Sequence, residues 1–203
     1  MRIAPAMLAL IASLFALPFA VPVQPVAAAN GHCTNWSSIS QPPTSIKVYR
    51  VNEGFVETVD FKHYVMNVAA REWNVEQTQL RLAGAHAVKQ YAWYHVLHYR
   101  GGKYNGRCYD VRDTTADQLF ANKPASQIPD RIRNAVNNTW TWHLHRDGKL
   151  PMTGYRRGED VGCGQNGGYR LMVRSARRCA EQGWSAERIL EKYFTATLKG
   201  ASE

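Results

Sequence analysis

The chain has 203 residues, 45% of them hydrophobic, with 25 Lys and Arg against 16 Asp and Glu. That length supports one well-buried domain and is marginal for two. The formal net charge of +9 points to anionic partners such as wall polymers, acidic glycans or phospholipid headgroups. It does not point to nucleic acid, because no stretch interleaves Lys and Arg with stacking aromatics in a recognisable module.

The first element is an export signal. Arg2 precedes an apolar run through Met7, Leu8, Leu10, Ile11, Leu14, Phe15 and Leu17, which closes on the small residues Ala27-Ala28-Ala29. The pattern predicts a signal peptide over 1–29, cleaved after Ala29. Pro5, Pro18, Pro22 and Pro25 argue against a membrane anchor, and no membrane span is expected once the signal is removed. Cleavage would leave 174 residues (203 less 29) with a net charge of +8, since Arg2 is the single charge lost. Residues 30–45, rich in Ser, Thr, Asn and Pro, are expected to form a tether. One domain is expected over 46–200.

Ile46 to Val51 alternates, Asn52-Glu53-Gly54 is a turn signal, and Phe55 to Phe61 alternates again. This predicts a β-hairpin. Asp60 is placed to cap a helix in which Phe61, Tyr64, Val65, Val68 and Ala69 recur at helical spacing. The next position on that stripe is Glu72. A carboxylate at the edge of a core is desolvated, so its pKa rises and it can hold a proton near neutral pH, as a general acid needs. The plainer alternative is that the helix ends at Glu72 and leaves it exposed or paired with a basic residue.

A second, longer helix follows. Leu80, Gly84, Ala87, Val88, Tyr91, Ala92, His95, Val96 and Tyr99 trace a stripe that ends at Gly101-Gly102. Its small residues predict close approach to a neighbour. From Tyr104 to Pro124 the chain reads as loop. Ile132 to His145 reads as a short helix and then a strand carrying Trp140, Trp142 and Leu144. His143 and His145 would share one face of that strand, a weak two-ligand pattern. The Gly-rich stretch 162–168 leads into a helix ending near Gly183, and Ser185 caps a last helix running to about Leu198. That stretch follows no clear strand and has no phosphate-binding lysine, which argues against a nucleotide loop.

The four cysteines, Cys33, Cys108, Cys163 and Cys179, all lie in the exported part. An even count in an oxidising compartment reads as two disulfides. Three pairings are open, of which Cys163–Cys179 with Cys33–Cys108 is favoured. There is no Cys-x-x-Cys pair to suggest structural zinc.

Four blocks in order resemble the stage II sporulation protein D (SpoIID/LytB) family of cell-wall proteins, over most of residues 46–198. They are Tyr64 to Glu72, a hydrophobic helix ending small-small-x-Glu; Ala83 to Ala92, in place of the family's Ala-rich helix; Asp113-Thr114-Thr115 with Gln118 and Phe120; and Ala176 to Gly183 followed by Ser185 through Tyr193. Three departures stand out. Lys89 replaces the family arginine and lacks its planar fork. Trp73-Asn74 replaces Met-Pro. Gly167-Gly168 stand where the family has a Gly-His-Gly histidine, so the metal ligands of some relatives are not carried over.

The resemblance implies an α+β fold. A single domain would have a β-hairpin followed by two packed helices, a mixed strand and loop region, and C-terminal helices. It also implies a lytic transglycosylase that cleaves the glycan strands of peptidoglycan with no cofactor and no metal. Glu72 would be the catalytic acid and base. Lys89, Asp113, Thr114 and Gln118 would position substrate, with Tyr91 and Trp73 shaping the cleft; for Asp113-Thr114-Thr115 the alternative is a turn built by side-chain-to-backbone bonds. Asp113 and Glu76 are the candidate second carboxylates for simple hydrolysis. The rival implied role is a wall-binding module that stimulates a partner amidase, with Glu72 paired to Lys89 or Arg71. A third class, an exported glycan- or lipid-binding protein, accounts for the charge but not for the ordered motifs.

Overall fold

The computed structural model describes residues 32–158, 162–164 and 170–200. The expected signal peptide over 1–29 and residues 165–168 of the Gly-rich stretch, with Gly167-Gly168, lie outside them.

The hairpin forms where its alternation places it. Strands β1 (Ser45–Arg50) and β2 (Phe55–Asp60) pair antiparallel from Ser45↔Asp60 to Arg50↔Phe55. Ile46 and Val48 face the core. Asp60 accepts the His63 N–H at 2.8 Å and so starts helix α1 (Phe61–Glu72); the side chain satisfies one of the four orphan N–H groups of the first turn. The expected stripe of Phe61, Tyr64, Val65, Val68 and Ala69 is buried.

Helix α2 (Thr78–Leu97) packs against α1 and is buried around most of its circumference, with 14 of its 20 residues inaccessible. A Cβ on Gly84 would lie 2.1 Å from the Trp73 indole. Glycine there lets the ring, itself 1% exposed, lie flat on the helix. A helix buried this fully must find internal partners for its polar side chains. Gln90 supplies one set, accepting from the Leu144 N–H at 2.7 Å and donating to the Leu144 and Pro151 carbonyls.

The stretch expected to be loop contains short strands. β3 (Lys103–Tyr104) and β4 (Arg107–Cys108) form a small hairpin, and β5 (Val111–Arg112) adds parallel to β1, with Val48 opposite Val111. Two-residue strands carry no periodicity to read, so only the tertiary pairing reveals them. Helix α3 (Asp130–Asn138) follows. Then come β6 (His143–His145), β7 (Gly154–Arg156), β8 (Arg170–Met172), α4 (Val173–Glu181), α5 (Ala186–Phe194) and β9 (Thr197–Lys199). β6 pairs antiparallel with β9, and β7 parallel with β8. The Ser185 cap is present. The last helix stops at Phe194 rather than near Leu198, because Thr195 turns left-handed at φ 47° and the chain returns as β9. The fold is α+β, in one domain.

Both disulfides have the favoured pairing, Cys33–Cys108 and Cys163–Cys179. In the chain-entropy model, closures across 75 and 16 residues stabilise by about 4.5 and about 3 kcal/mol. The first of them corrects the expected tether. Residues 32–44 form a strap on the domain: Thr34 donates to Asp110 at 2.6 Å, and the Trp93 indole donates to the Ser38 carbonyl at 2.9 Å. The two disulfides fit an oxidising compartment, and no described helix is long and apolar enough to cross a membrane.

Candidate active site

Glu72 is the last residue of α1, half-buried on the stripe that faces the core. Its two oxygens are held from two directions. Oε1 accepts the Leu119 N–H at 2.6 Å, and Oε2 accepts the Tyr155 hydroxyl of β7. Tyr155 is fixed in turn by Gln118, whose Nε2 donates to the phenol oxygen at 3.1 Å and to the Val88 carbonyl at 3.2 Å. The Tyr64 hydroxyl donates to the amide oxygen of Gln118 at 3.0 Å. The Trp73 indole meets the Tyr155 ring edge-on, with centroids 5.2 Å apart. Four elements therefore converge on one carboxyl group: α1, α2, the 118–119 segment and β7.

No cation reaches Glu72 within ion-pair distance among the described residues. Burial pushes its pKa above the ordinary glutamate value. The bonds from Tyr155 and Leu119, and Arg71 nearby, pull it back only in part. Burial and the Glu72 carboxylate push the Tyr155 phenol well up, so Tyr155 remains a donor. Each carboxylate oxygen has two lone-pair sites, and the described contacts use one on each. What remains is a carboxyl group able to give or take a proton at a second site.

The other expected site residues divide into two groups. Gln118 and Trp73 do gather at Glu72, as orienting groups buried behind it. Lys89, Asp113, Thr114 and Tyr91 have their polar atoms engaged elsewhere. Lys89, 1% exposed, donates to the Thr139, Trp140 and Trp142 carbonyls at 2.6, 2.8 and 2.5 Å. It thus closes off the carbonyls where α3 ends. Burial, with Lys62 nearby, pushes its pKa well down, yet three acceptors match the three protons of an ammonium, and that geometry favours the charged form. It neither pairs with Glu72 nor has a donor left for substrate.

Asp113 accepts Arg50 Nε and the Val51 N–H, both at 2.9 Å, fastening the β1–β2 turn. The Thr114 hydroxyl accepts the Ala116 N–H at 3.4 Å. The Thr114 contact is the local side-chain-to-backbone bond of a turn, whereas Asp113 binds across the sheet to β1 and the residue after it. Tyr91 donates to Asp117 at 3.3 Å; burial and that carboxylate push its phenol up to about 12. Glu76 is exposed and paired with Arg131, away from Glu72's contacts. His143 and His145 do share a face of β6, with ring centroids 4.8 Å apart. No third metal-ligating side chain joins them among the described residues.

Sequence reasoning missed Tyr155 and the backbone N–H of Leu119. The first contact spans 83 residues and the second 47, and neither leaves a local pattern. No family model and no curated protein matches the chain.

Proposed function

We propose that this protein cleaves the glycan strands of peptidoglycan as a lytic transglycosylase, with Glu72 as its single acid and base. The observation that carries the reading is a half-buried carboxyl group with a raised pKa, no cationic partner among the described residues, and one lone-pair site free on each oxygen. The order of the sequence blocks that resemble the SpoIID/LytB family supports it.

In this mechanism protonated Glu72 donates to the glycosidic oxygen as the bond to the next sugar breaks. The carboxylate left behind takes the proton of the muramic C6 hydroxyl, whose oxygen closes onto the anomeric carbon. No water attacks, so the second carboxylate of ordinary glycosidases is not needed. Tyr155 and Leu119 hold the carboxyl in register and steady its charged form between the two transfers; Gln118 and Tyr64 hold Tyr155.

A second reading rests on the same bonds. Glu72 could serve as a strut joining α1 to β7 in a non-catalytic wall-binding module that stimulates an amidase. Mass spectrometry of glycan strands incubated with the mature protein and with Glu72→Gln separates the two. Anhydro-muramic ends formed by wild type alone establish the lytic reading. Reducing ends mean hydrolysis, and no cleavage leaves the binding role.

A further inference from the structure

The arginines of this protein divide into two kinds. Arg50, Arg100, Arg112, Arg131 and Arg133 each pair with an acid among the described residues. The arginines around α4 are placed differently. Residues 156–178 contain six of them (Arg156, Arg157, Arg170, Arg174, Arg177 and Arg178) against two acids, Glu159 and Asp160, and no lysine. Arg170, Arg174 and Arg177 are exposed, and their side chains make no ion pair or hydrogen bond among the described residues.

Three of the six share one face of α4. Arg174, Arg177 and Arg178 stand at i, i+3 and i+4, spread over about 100° of the helix surface and about 6 Å along its axis. With Glu181 they line a concave surface of about 400 Å³. Like charges at those spacings repel and weaken a helix, so the face costs the fold stability rather than adding to it. Behind that face α4 is fixed. Cys179 is buried and joined to Cys163, and the Ser175 hydroxyl donates to the Gly162 carbonyl at 2.6 Å. The guanidiniums are thus carried on a rigid support, set for a partner that neutralises them.

The shape and lining of the cleft select that partner. A chain can enter a concave surface, whereas a planar bilayer meets only its rim. The exposed residues of α4 are Arg174, Arg177, Arg178 and Glu181, so the helix offers no large apolar side chain to anchor in lipid. No aromatic side chain lines the cleft to stack a base. What remains is oxyanion chemistry, in which one guanidinium grips two oxygens of one group. Arginines arriving from directions spread around a helix suit a tetrahedral phosphate, whose oxygens project out of any one plane. The lone pairs of a carboxylate lie in its plane.

We propose that the arginine face of α4 is a docking surface for a linear phosphodiester polymer. Arg174 and Arg177 grip its phosphates through charge-assisted bonds, and Arg178 adds its charge beside them. The inference stands apart from the reading of Glu72 and requires no turnover.

The test is calorimetric titration of the protein with a synthetic poly(glycerol phosphate) chain, repeated with Arg174→Gln/Arg177→Gln and with Lys103→Gln/Arg107→Gln. The second variant removes the same charge from the β3–β4 hairpin, where both side chains are exposed. Wild type should bind, and added salt should weaken the binding steeply as condensed counterions are no longer released at a gain. The α4 variant should bind about tenfold or more weakly, with a melting temperature unchanged or slightly raised as the repulsion is relieved. The hairpin variant should stay within about twofold of wild type. Equal losses in the two variants would reduce the binding to net charge and overturn the site. A poly-glutamate chain of matched charge that binds as tightly would overturn the phosphate assignment. Anionic vesicles that bind through Arg174 and Arg177 while the free polymer does not would replace the chain by a lipid surface.

Discussion

Asp117, in the segment that follows β5, and Glu72, which that segment holds through the Leu119 N–H, are carboxylates largely withdrawn from water, and they are driven in opposite directions. The Asp117 side chain is fully buried, which works to raise its pKa. Against that, the Arg112 N–H at 2.8 Å and the guanidiniums of Arg100 and Arg112 at 2.6 and 3.1 Å bring it below its ordinary value. Glu72 has one backbone N–H and one neutral phenol, and burial wins. Burial alone therefore does not decide the charge state; the cations do. Asp117 is an anion that fastens Arg100 and Arg112 to the domain, while Glu72 is able to hold a proton.

The sharpest way to break this contrast is to remove the proton from one side of it. Glu72→Gln keeps the shape but cannot donate, and it should lower glycan turnover by a factor of roughly 10² to 10⁴, the usual worth of a general acid. Its stability at neutral pH should not fall. A carboxyl whose folded pKa is raised binds more protons folded than unfolded between its two pKa values, so ionising it costs stability as pH rises, and the amide removes that cost. The same sign sets the activity profile. Turnover should decline as pH rises through the Glu72 pKa, which burial sets above the ordinary glutamate value. A decline centred at or below that ordinary value would assign the proton elsewhere.

Lys89→Met comes next in size. It strips three carbonyls of their donor, and at about 1 kcal/mol each the loss is about 3 kcal/mol of stability, read by denaturant unfolding. Glycan affinity of the folded variant should be unchanged; weakened affinity at full stability would return Lys89 to the binding site. Asp117→Asn should cost about 2 kcal/mol. Arg100 and Arg112, 40% and 39% exposed, can turn to water, so the loss falls below that of an enclosed pair.

The smallest effect is expected from Tyr155→Phe. Losing the bond to the carboxylate, while the Gln118 amide keeps its bond to the Val88 carbonyl after losing the phenol oxygen, should cost about 1 kcal/mol and move the Glu72 pKa, with the alkaline limb of the activity profile, further up. A downward move would mean that Tyr155 acts on Glu72 by something other than that bond.

The parts of the molecule legible in the sequence are those that local pattern specifies. The β1–β2 alternation, the Asp60 and Ser185 caps and the stripe that ends on Glu72 each lie within sixteen residues, and the structure realises them. Lys89 shows where such reading stops. Its place on an otherwise small and apolar face of α2 resembles that of a cation aimed into a cleft, and only the fold reveals the end of α3 above it. The strap at 32–44 looks like a linker by composition, because its anchors are a disulfide across 75 residues and a bond to Asp110. Tyr155 stands alone in a short strand with no periodicity, so nothing local separates it from the other tyrosines.

The most direct test is a carbon-detected NMR titration of the side-chain carboxyls of the protein, following Glu72 and Asp117 in one sample. Glu72 should titrate above the ordinary glutamate value and Asp117 below the ordinary aspartate value. A Glu72 midpoint at or below its ordinary value would contradict the account, because the group would then be ionised when the glycosidic oxygen needs its proton.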